Sequence, residues 1–232
     1  GDEEKVLNDI SFDLQAGETL GLLGRTGSGK TTITRLLTRL YDYHSGSIRI
    51  GDIELKATKM ADLRRRVGLV TQDVQLFHAS VRDNVTFFNK AIPDRRIEAV
   101  FEELGLGRWL KSLPNGLNTI LTGGKGLSAG EAQLLALSRV FLRDPGLVIM
   151  DEASSRLDPA SEKLLETAMN RLLSGRTGII VAHRLSTILK VDKILILENG
   201  AVLEYGYREQ LLRDPRSVFN RLLKMGLEEV MV

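Results

Sequence analysis

Three short apolar runs in this chain do not alternate with polar residues: "GLLG" (21–24), "GLVIM" (146–150) and "GIIVA" (178–182). Such runs predict strands buried on both faces, as in a parallel sheet. Helical spacing separates them. Ile33, Leu36, Leu37 and Leu40 recur at i, i+3, i+4 and i+7 after Lys30. Ile97, Val100, Phe101 and Leu104 repeat the pattern behind Pro93-Asp94, a helix-start pair. Residues 128–143 and 159–173 are also helical by pattern. Other segments do alternate. "VLNDISFDLQAGETLGLL" predicts two or three strands, broken at Ala16-Gly17, and "GSIRIGDIEL" predicts a hairpin turning at Gly51-Asp52. "KILILENGAVLEYG" predicts a second hairpin, because Asn199-Gly200 suits a type I′ turn. The outline is a parallel α/β core with antiparallel strands at its start and a mostly helical stretch over 78–140. Pro145 marks re-entry into the sheet.

Composition narrows this outline little. The chain has 232 residues, enough for one large α/β domain or two small ones, and 43% of them are hydrophobic. A net charge of +2 marks no nucleic-acid partner. The run Arg64-Arg65-Arg66 is explained well by a solvated helix face, with a phosphate-contacting patch a distant second. The chain has no cysteine, which removes disulfides, thiolate metal sites and cysteine nucleophiles. No apolar run approaches the ~20 residues that span a bilayer, and no signal peptide opens the chain, so the expectation is a soluble domain.

The glycines at 24, 27 and 29 change the picture more. Gly24-Arg25-Thr26-Gly27-Ser28-Gly29-Lys30-Thr31 matches G-x-x-x-x-G-K-[ST], between a buried strand and a helix. Glycines let backbone N–H groups converge on phosphate oxygens, and the helix presents its positive end to the same anion. Lys30 then reaches the β- and γ-phosphates, and the Thr31 hydroxyl ligates Mg²⁺. The spacing is not G-x-G-x-x-G, so a dinucleotide fingerprint is excluded. "GLVIMDE" ends a buried strand in Asp151-Glu152. An aspartate there holds Mg²⁺ through water in P-loop folds, and a second carboxylate takes a proton from attacking water.

Other candidates leave two readings open. His183 ends the run "GIIVAHR", where open α/β sheets bind ligands, and a structural histidine fits equally well. Ser128-x-x-Glu131 is a capping box, or a capping box that also forms a second anion site with Gly130. Gln72 and Gln75 alone are polar loop residues. Residues 190–232 show no chemistry, and Trp109 and Tyr205 are packing residues.

Taken in order, GRTGSGKTT (24–32), VTQD with Gln72, LSAGEAQ (127–133), LVIMDEASSRLD (147–158) and AHRLST (182–187) resemble the nucleotide-binding domain of ABC transporters. "LFHASVRDNV" (76–85) and "LENGAVLEYG" (197–206) resemble its exporter branch. The resemblance implies a P-loop NTPase (RecA-like) core with a mostly parallel sheet, an N-terminal antiparallel β subdomain and an inserted helical subdomain. It implies one domain over 1–232, with 1–77 and 141–232 as ATP-binding core and 78–140 as helical subdomain, and with the membrane domain outside this fragment. ATP and Mg²⁺ are the implied cofactors. ATP is sandwiched head to tail between two such domains, identical or related. One supplies Gly24 to Thr32, Asp151 and Glu152; the other supplies Ser128 and Gly130. Gln72 meets Mg²⁺ and signals to the transmembrane domains, Glu152 polarises water, His183 contacts the γ-phosphate, and Asp158 lies in the loop crossing the dimer interface. The domain is expected at the cytoplasmic face of a membrane, with no nucleic-acid partner.

Four departures from the family pattern stand out. The signature reads LSAGE, no aromatic residue precedes Val6, "TILTGGKG" (119–126) lacks a glutamate, and Arg156 stands where a small residue is common. The missing aromatic suggests a fragment cut after that position. Two rival readings are a soluble ABC ATPase acting on ribosomes or DNA, and a module that binds ATP without hydrolysing it. Proteins of the first kind usually carry two ATPase domains or a long coiled-coil insertion, and only 97 residues, with no heptads, separate Lys30 from Ser128. The second would be expected if Glu152 or His183 were replaced, and both are present.

Overall fold

The computed structural model describes residues 5–71, 74–122, 127–151, 158–182 and 185–225. In chain order the elements are β1 Thr19–Leu23, α1 Lys30–Leu37, β2 Arg49–Ile50, β3 Ile53–Glu54, α2 Met60–Arg66, β4 Val67–Val70, β5 Ala79–Ser80 and α3 Val81–Thr86. Next come α4 Asp94–Glu103, α5 Gly107–Ser112, β6 Ile120–Leu121, α6 Ala129–Arg143, β7 Leu147–Asp151 and α7 Pro159–Leu173. The chain continues with β8 Thr177–Val181, α8 Leu185–Ile188, β9 Lys193–Glu198, β10 Ala201–Tyr207, α9 Arg208–Arg213 and α10 Val218–Met225. Among the described residues, no helix is long and apolar enough to cross a membrane. The chain divides into two compact units: 1–69, 146–154 and 176–232 form the first, and 70–145 and 155–175 the second.

The first unit is built on a sheet of order β10-β9-β1-β8-β7-β4. The pairs β1–β8, β1–β9 and β7–β8 are parallel, and β9–β10 is antiparallel. The non-alternating runs are the buried central strands: Leu20, Leu22, Ile149, Ile179, Val181 and Leu195 lie in one apolar cluster with Ile33 and Leu37 of α1. Both hairpins turn where the sequence places them. Arg49 pairs with Glu54 around Gly51-Asp52, and Asn199 and Gly200 take φ of 47° and 75°, as a type I′ turn requires.

Two expectations fail. Residues 5–18 hold no strand, although "VLNDISFDL" alternates. Leu7, Ile10, Phe12 and Leu14 pack against the core cluster, so the alternation reports an extended segment buried on one side. Period-2 patterning records that burial and says nothing about ladder hydrogen bonds. The first helix also stops at Leu37, and Leu40 is 65% exposed instead of continuing its apolar face. Arg39 adopts φ 52°, and the Leu40 and Arg39 N–H groups donate to the Arg35 and Leu36 carbonyls. This is a Schellman ending with arginine in the left-handed position. The Arg39 guanidinium then donates to the Leu55 and Thr58 carbonyls, which holds the chain there.

Lys193, at the start of β9, is only 4% exposed. Its ammonium meets Glu18 Oε2 at 3.0 Å and Asp13 Oδ2 at 3.2 Å, and lies 4.9 Å from the Tyr207 ring centre. Burial alone pushes this ammonium down, but the hydrogen bonds it donates to Glu18 and Asp13 outweigh that and hold it above the usual lysine range. Lys193 in turn holds Asp13 below the usual carboxylate range, and the Gln15 N–H, with Lys193, does the same for Glu18. A lowered carboxyl contributes stability that is present above its unfolded pKa, about 4, and lost as pH falls. A raised lysine contributes stability that is present below about pH 10.4 and lost as pH rises through its folded value. Lys193→Met therefore lowers Tm by several degrees at pH 7 and flattens its fall between pH 5 and 3. Thermal unfolding over that range checks this; an unchanged acid slope would separate the clamp from acid stability.

The second unit is mostly helical. Its core joins Val81 and Val85 of α3, Ile97 and Phe101 of α4, and Leu134, Leu135 and Leu137 of α6. Trp109 packs against Phe101 with ring centres 6.1 Å apart, the packing role expected for it. Arg139 of α6 is buried and donates to the Asn84 carbonyl at 2.9 Å and the Gln75 carbonyl at 2.8 Å. Asn84, fully buried, accepts from the Phe77 N–H and donates to the Phe77 and Ser80 carbonyls. Together these two side chains pin the 75–84 segment by its backbone.

Candidate functional site

The loop from Gly24 to Gly29 leaves β1 and enters α1 directly at Lys30. Two glycines close its back. Gly24 has φ 145° and Gly29 φ 106°, conformations L side chains rarely adopt. A Cβ at Gly24 would overlap the Leu197 carbonyl oxygen, and one at Gly29 would overlap Leu7 Cδ2. The tip, Arg25 to Gly27, is exposed, while Ser28 to Lys30 are buried. Gly29 caps α1 without a side-chain hydrogen bond, so the first-turn N–H groups keep their capacity for an anion.

Inside this loop two polar groups are held away from water. Lys30 is 7% exposed, and its ammonium donates to the Gly24 carbonyl and, at 2.9 Å, to that of Arg25. Burial pushes it below the usual lysine range, and the Asp151 carboxylate pulls it part of the way back. The Ser28 hydroxyl is buried and meets no hydrogen-bond partner among the described residues. A desolvated cation, an orphaned hydroxyl and uncapped helix amides are a set of donors that a polyanion satisfies. Thr31 lies exposed in the first turn of α1, followed by half-buried Thr32.

Strand register brings Asp151 to the same edge. Leu22 of β1 and Asp151 of β7 both pair with Val181 of β8. The carboxyl ends of these strands are thus level, the edge at which open α/β sheets take ligands. Gln72, Glu152, Arg156 and His183 lie outside the described residues.

In the second unit, Ser128 caps α6. Its hydroxyl accepts from the Glu131 N–H at 3.2 Å, and Glu131 Oε2 accepts from the Ser128 N–H at 2.7 Å. The capping box is therefore present, and the Ser128 O–H hydrogen is not used by it. Asp158 caps α7 in the same way, accepting from the Ala160 and Ser161 N–H groups, and hydrogen bonds from Ser161 hold its carboxyl below the usual range. Gly130 packs on that cap: a Cβ there would lie 2.8 Å from Ser161 Cβ. Gly130→Ala therefore costs about 1–3 kcal/mol by overpacking alone, and Ser161→Gly recovers most of it. Urea unfolding of the two single variants and the double variant checks this. A double variant no more stable than Gly130→Ala would place the cost elsewhere.

Pattern reading missed the support behind the loop. Residues 190–232 supply Leu197 and Gly200, whose backbone groups abut Gly24 and Ser28. They also supply Glu204, which accepts from the Ser217 hydroxyl and the Val218 and Phe219 N–H groups and so caps α10. No periodic signal marks either, because both join groups brought together by strand order or by a turn.

A central parallel strand, a glycine-backed loop, a buried lysine and a helix with open amides, with an aspartate level at a nearby strand end, define a P-loop NTPase fold. A family model described as ABC transporter matches residues 7–155. The chain belongs to that family. It is 35% identical over 96% of its length to "ABC transporter B family member 21" of Arabidopsis thaliana. It is 41% identical over 91% of its length to an ATP-dependent lipid A-core flippase of Pseudoalteromonas atlantica. It is 37% identical over 98% of its length to the toxin RTX-I translocation ATP-binding protein of Actinobacillus pleuropneumoniae. The chain spans 17%, 37% and 32% of the lengths of these relatives.

Proposed function

We propose that this chain binds and hydrolyses Mg-ATP and so powers an exporter-type ABC transporter. The observation that carries the reading is Lys30, buried in the phosphate loop, where among the described residues its charge meets the Gly24 and Arg25 carbonyls and the Asp151 carboxylate. A triphosphate gives that charge its partner. Loop amides and the Ser28 hydroxyl then bind phosphate oxygens, Lys30 takes the β- and γ-phosphates, and Thr31 orients its hydroxyl beside them. The donor set suits Mg²⁺ held by few protein ligands: the Thr31 hydroxyl, Asp151 through water and Gln72. When bound, that ion neutralises charge on the phosphates. Glu152 accepts a proton from the attacking water, and His183 hydrogen-bonds near the γ-phosphate.

The signature residues act on a second domain's nucleotide. The Ser128 hydroxyl retains a hydrogen to donate, and Gly130 and Asp158 belong to adjoining helix starts. Two such domains, identical or related, close head to tail around ATP, with Asp158 at their interface. Transmembrane domains of the same transporter hold them at the cytoplasmic face of a membrane. Sedimentation of Glu152→Gln tests the sandwich. Dimers are expected at saturating Mg-ATP and monomers in Mg-ADP, and a monomer under both conditions would count against it.

A further inference from the structure

The turn between β9 and β10 and the segment Val6–Asn8 meet behind the phosphate loop. The Gly200 N–H donates to the Ser28 carbonyl at 3.3 Å, and the Asn8 N–H donates to the Gly200 carbonyl at 2.7 Å. Gly200 is buried, with φ 75°, and a Cβ there would overlap the Val6 carbonyl oxygen. Leu7, half-buried, fills the space a Gly29 side chain would take, its Cγ 3.7 Å from that position. A chain of backbone contacts therefore runs from Asn8 through Gly200 to Ser28, with Leu7 wedged under Gly29.

This arrangement has a directional consequence. In a trans peptide the C=O and the following N–H point in opposite directions. Holding the Ser28 carbonyl toward Gly200 thus turns the Gly29 N–H away from the turn. We propose that Leu7 and Gly200 are positioning residues for nucleotide binding: they aim the Gly29 amide at a phosphate oxygen, so that docking of residues 6–8 and occupancy of the loop favour each other. The inference rests on the reading that residues 24–32 hold the triphosphate. Neither residue touches the nucleotide; both act through the backbone of Ser28 and Gly29. Gly200 serves two needs at once, the left-handed turn and the close approach of Val6.

The test compares the unmodified chain with Leu7→Ala and Leu7→Met, by equilibrium Mg-ATP binding and steady-state turnover. Binding by the unmodified chain tests the functional reading; its absence overturns both. Leu7→Ala is expected to bind Mg-ATP roughly three- to tenfold more weakly, the worth of about one misaimed hydrogen bond. Its KM rises while kcat holds, and Leu7→Met restores the affinity. A merely structural leucine would lower Tm and leave KM in place, and that result overturns the inference. Hydrogen exchange in the unmodified chain gives a readout without any variant. Coupling is reciprocal, so saturating Mg-ATP slows exchange at the Asn8 and Gly200 amides. Unchanged exchange at both, with nucleotide bound, overturns the coupling.

Discussion

Glu152→Gln slows ATP turnover about 10²–10⁴-fold and leaves Mg-ATP bound. The argument is chemical. Glutamine keeps the shape and hydrogen-bonding length of glutamate but cannot accept a proton from water. Asp151 stays in place at the end of β7, so the side chain assigned to the Mg²⁺ shell is untouched. Removing one negative charge next to a polyanion does not weaken its binding, so Kd holds or tightens while kcat collapses. Steady-state phosphate release and equilibrium ATP binding, measured on one preparation, separate the two effects. Turnover equal to that of the unmodified chain would remove Glu152 from the role of general base. Loss of binding together with turnover would instead assign it to holding the nucleotide.

Lys30→Ala weakens Mg-ATP binding by about 10–10³-fold, since each hydrogen bond to a charged group contributes about 1.5–3 kcal/mol. Lys30 is buried on the inner side of the loop, where burial already disfavours its charge. The Gly24 and Arg25 carbonyls are its partial partners, and in the proposed complex a triphosphate offsets the rest of that cost. AMP lacks the β- and γ-phosphates, so its affinity changes little in the same variant. Lys30→Arg does not rescue, because a planar fork does not fit a slot built for a point charge. Calorimetry with ATP and AMP provides both arms. Equal ATP affinity in Lys30→Ala would refute the phosphate-cradle reading.

Part of this architecture is legible in the sequence. The apolar runs at 21–24, 146–150 and 178–182 are β1, β7 and β8, displaced by one or two residues at their ends. Asn199-Gly200 forms the predicted turn, and Ser128 with Glu131 forms the predicted capping box. The segment before Gly17 misled, since one-sided burial gives the same alternation whether or not a neighbouring strand supplies hydrogen bonds. Leu40 misled because apolar spacing does not register Arg39 in a left-handed conformation.

By itself the sequence determined what depends on neighbours a few positions away: strand and helix periods, the glycine spacing of the phosphate loop, helix caps and tight turns. The tertiary structure alone decided which distant groups meet. Strand order and register set Lys30 near Asp151, seat Lys193 between Asp13 and Glu18, and bring Gly200 against Ser28. Packing of α6 on α7 sets Gly130 on Ser161. The physical reason is that such contacts are chosen by the burial of whole faces, and no local period in the chain carries their partners' positions.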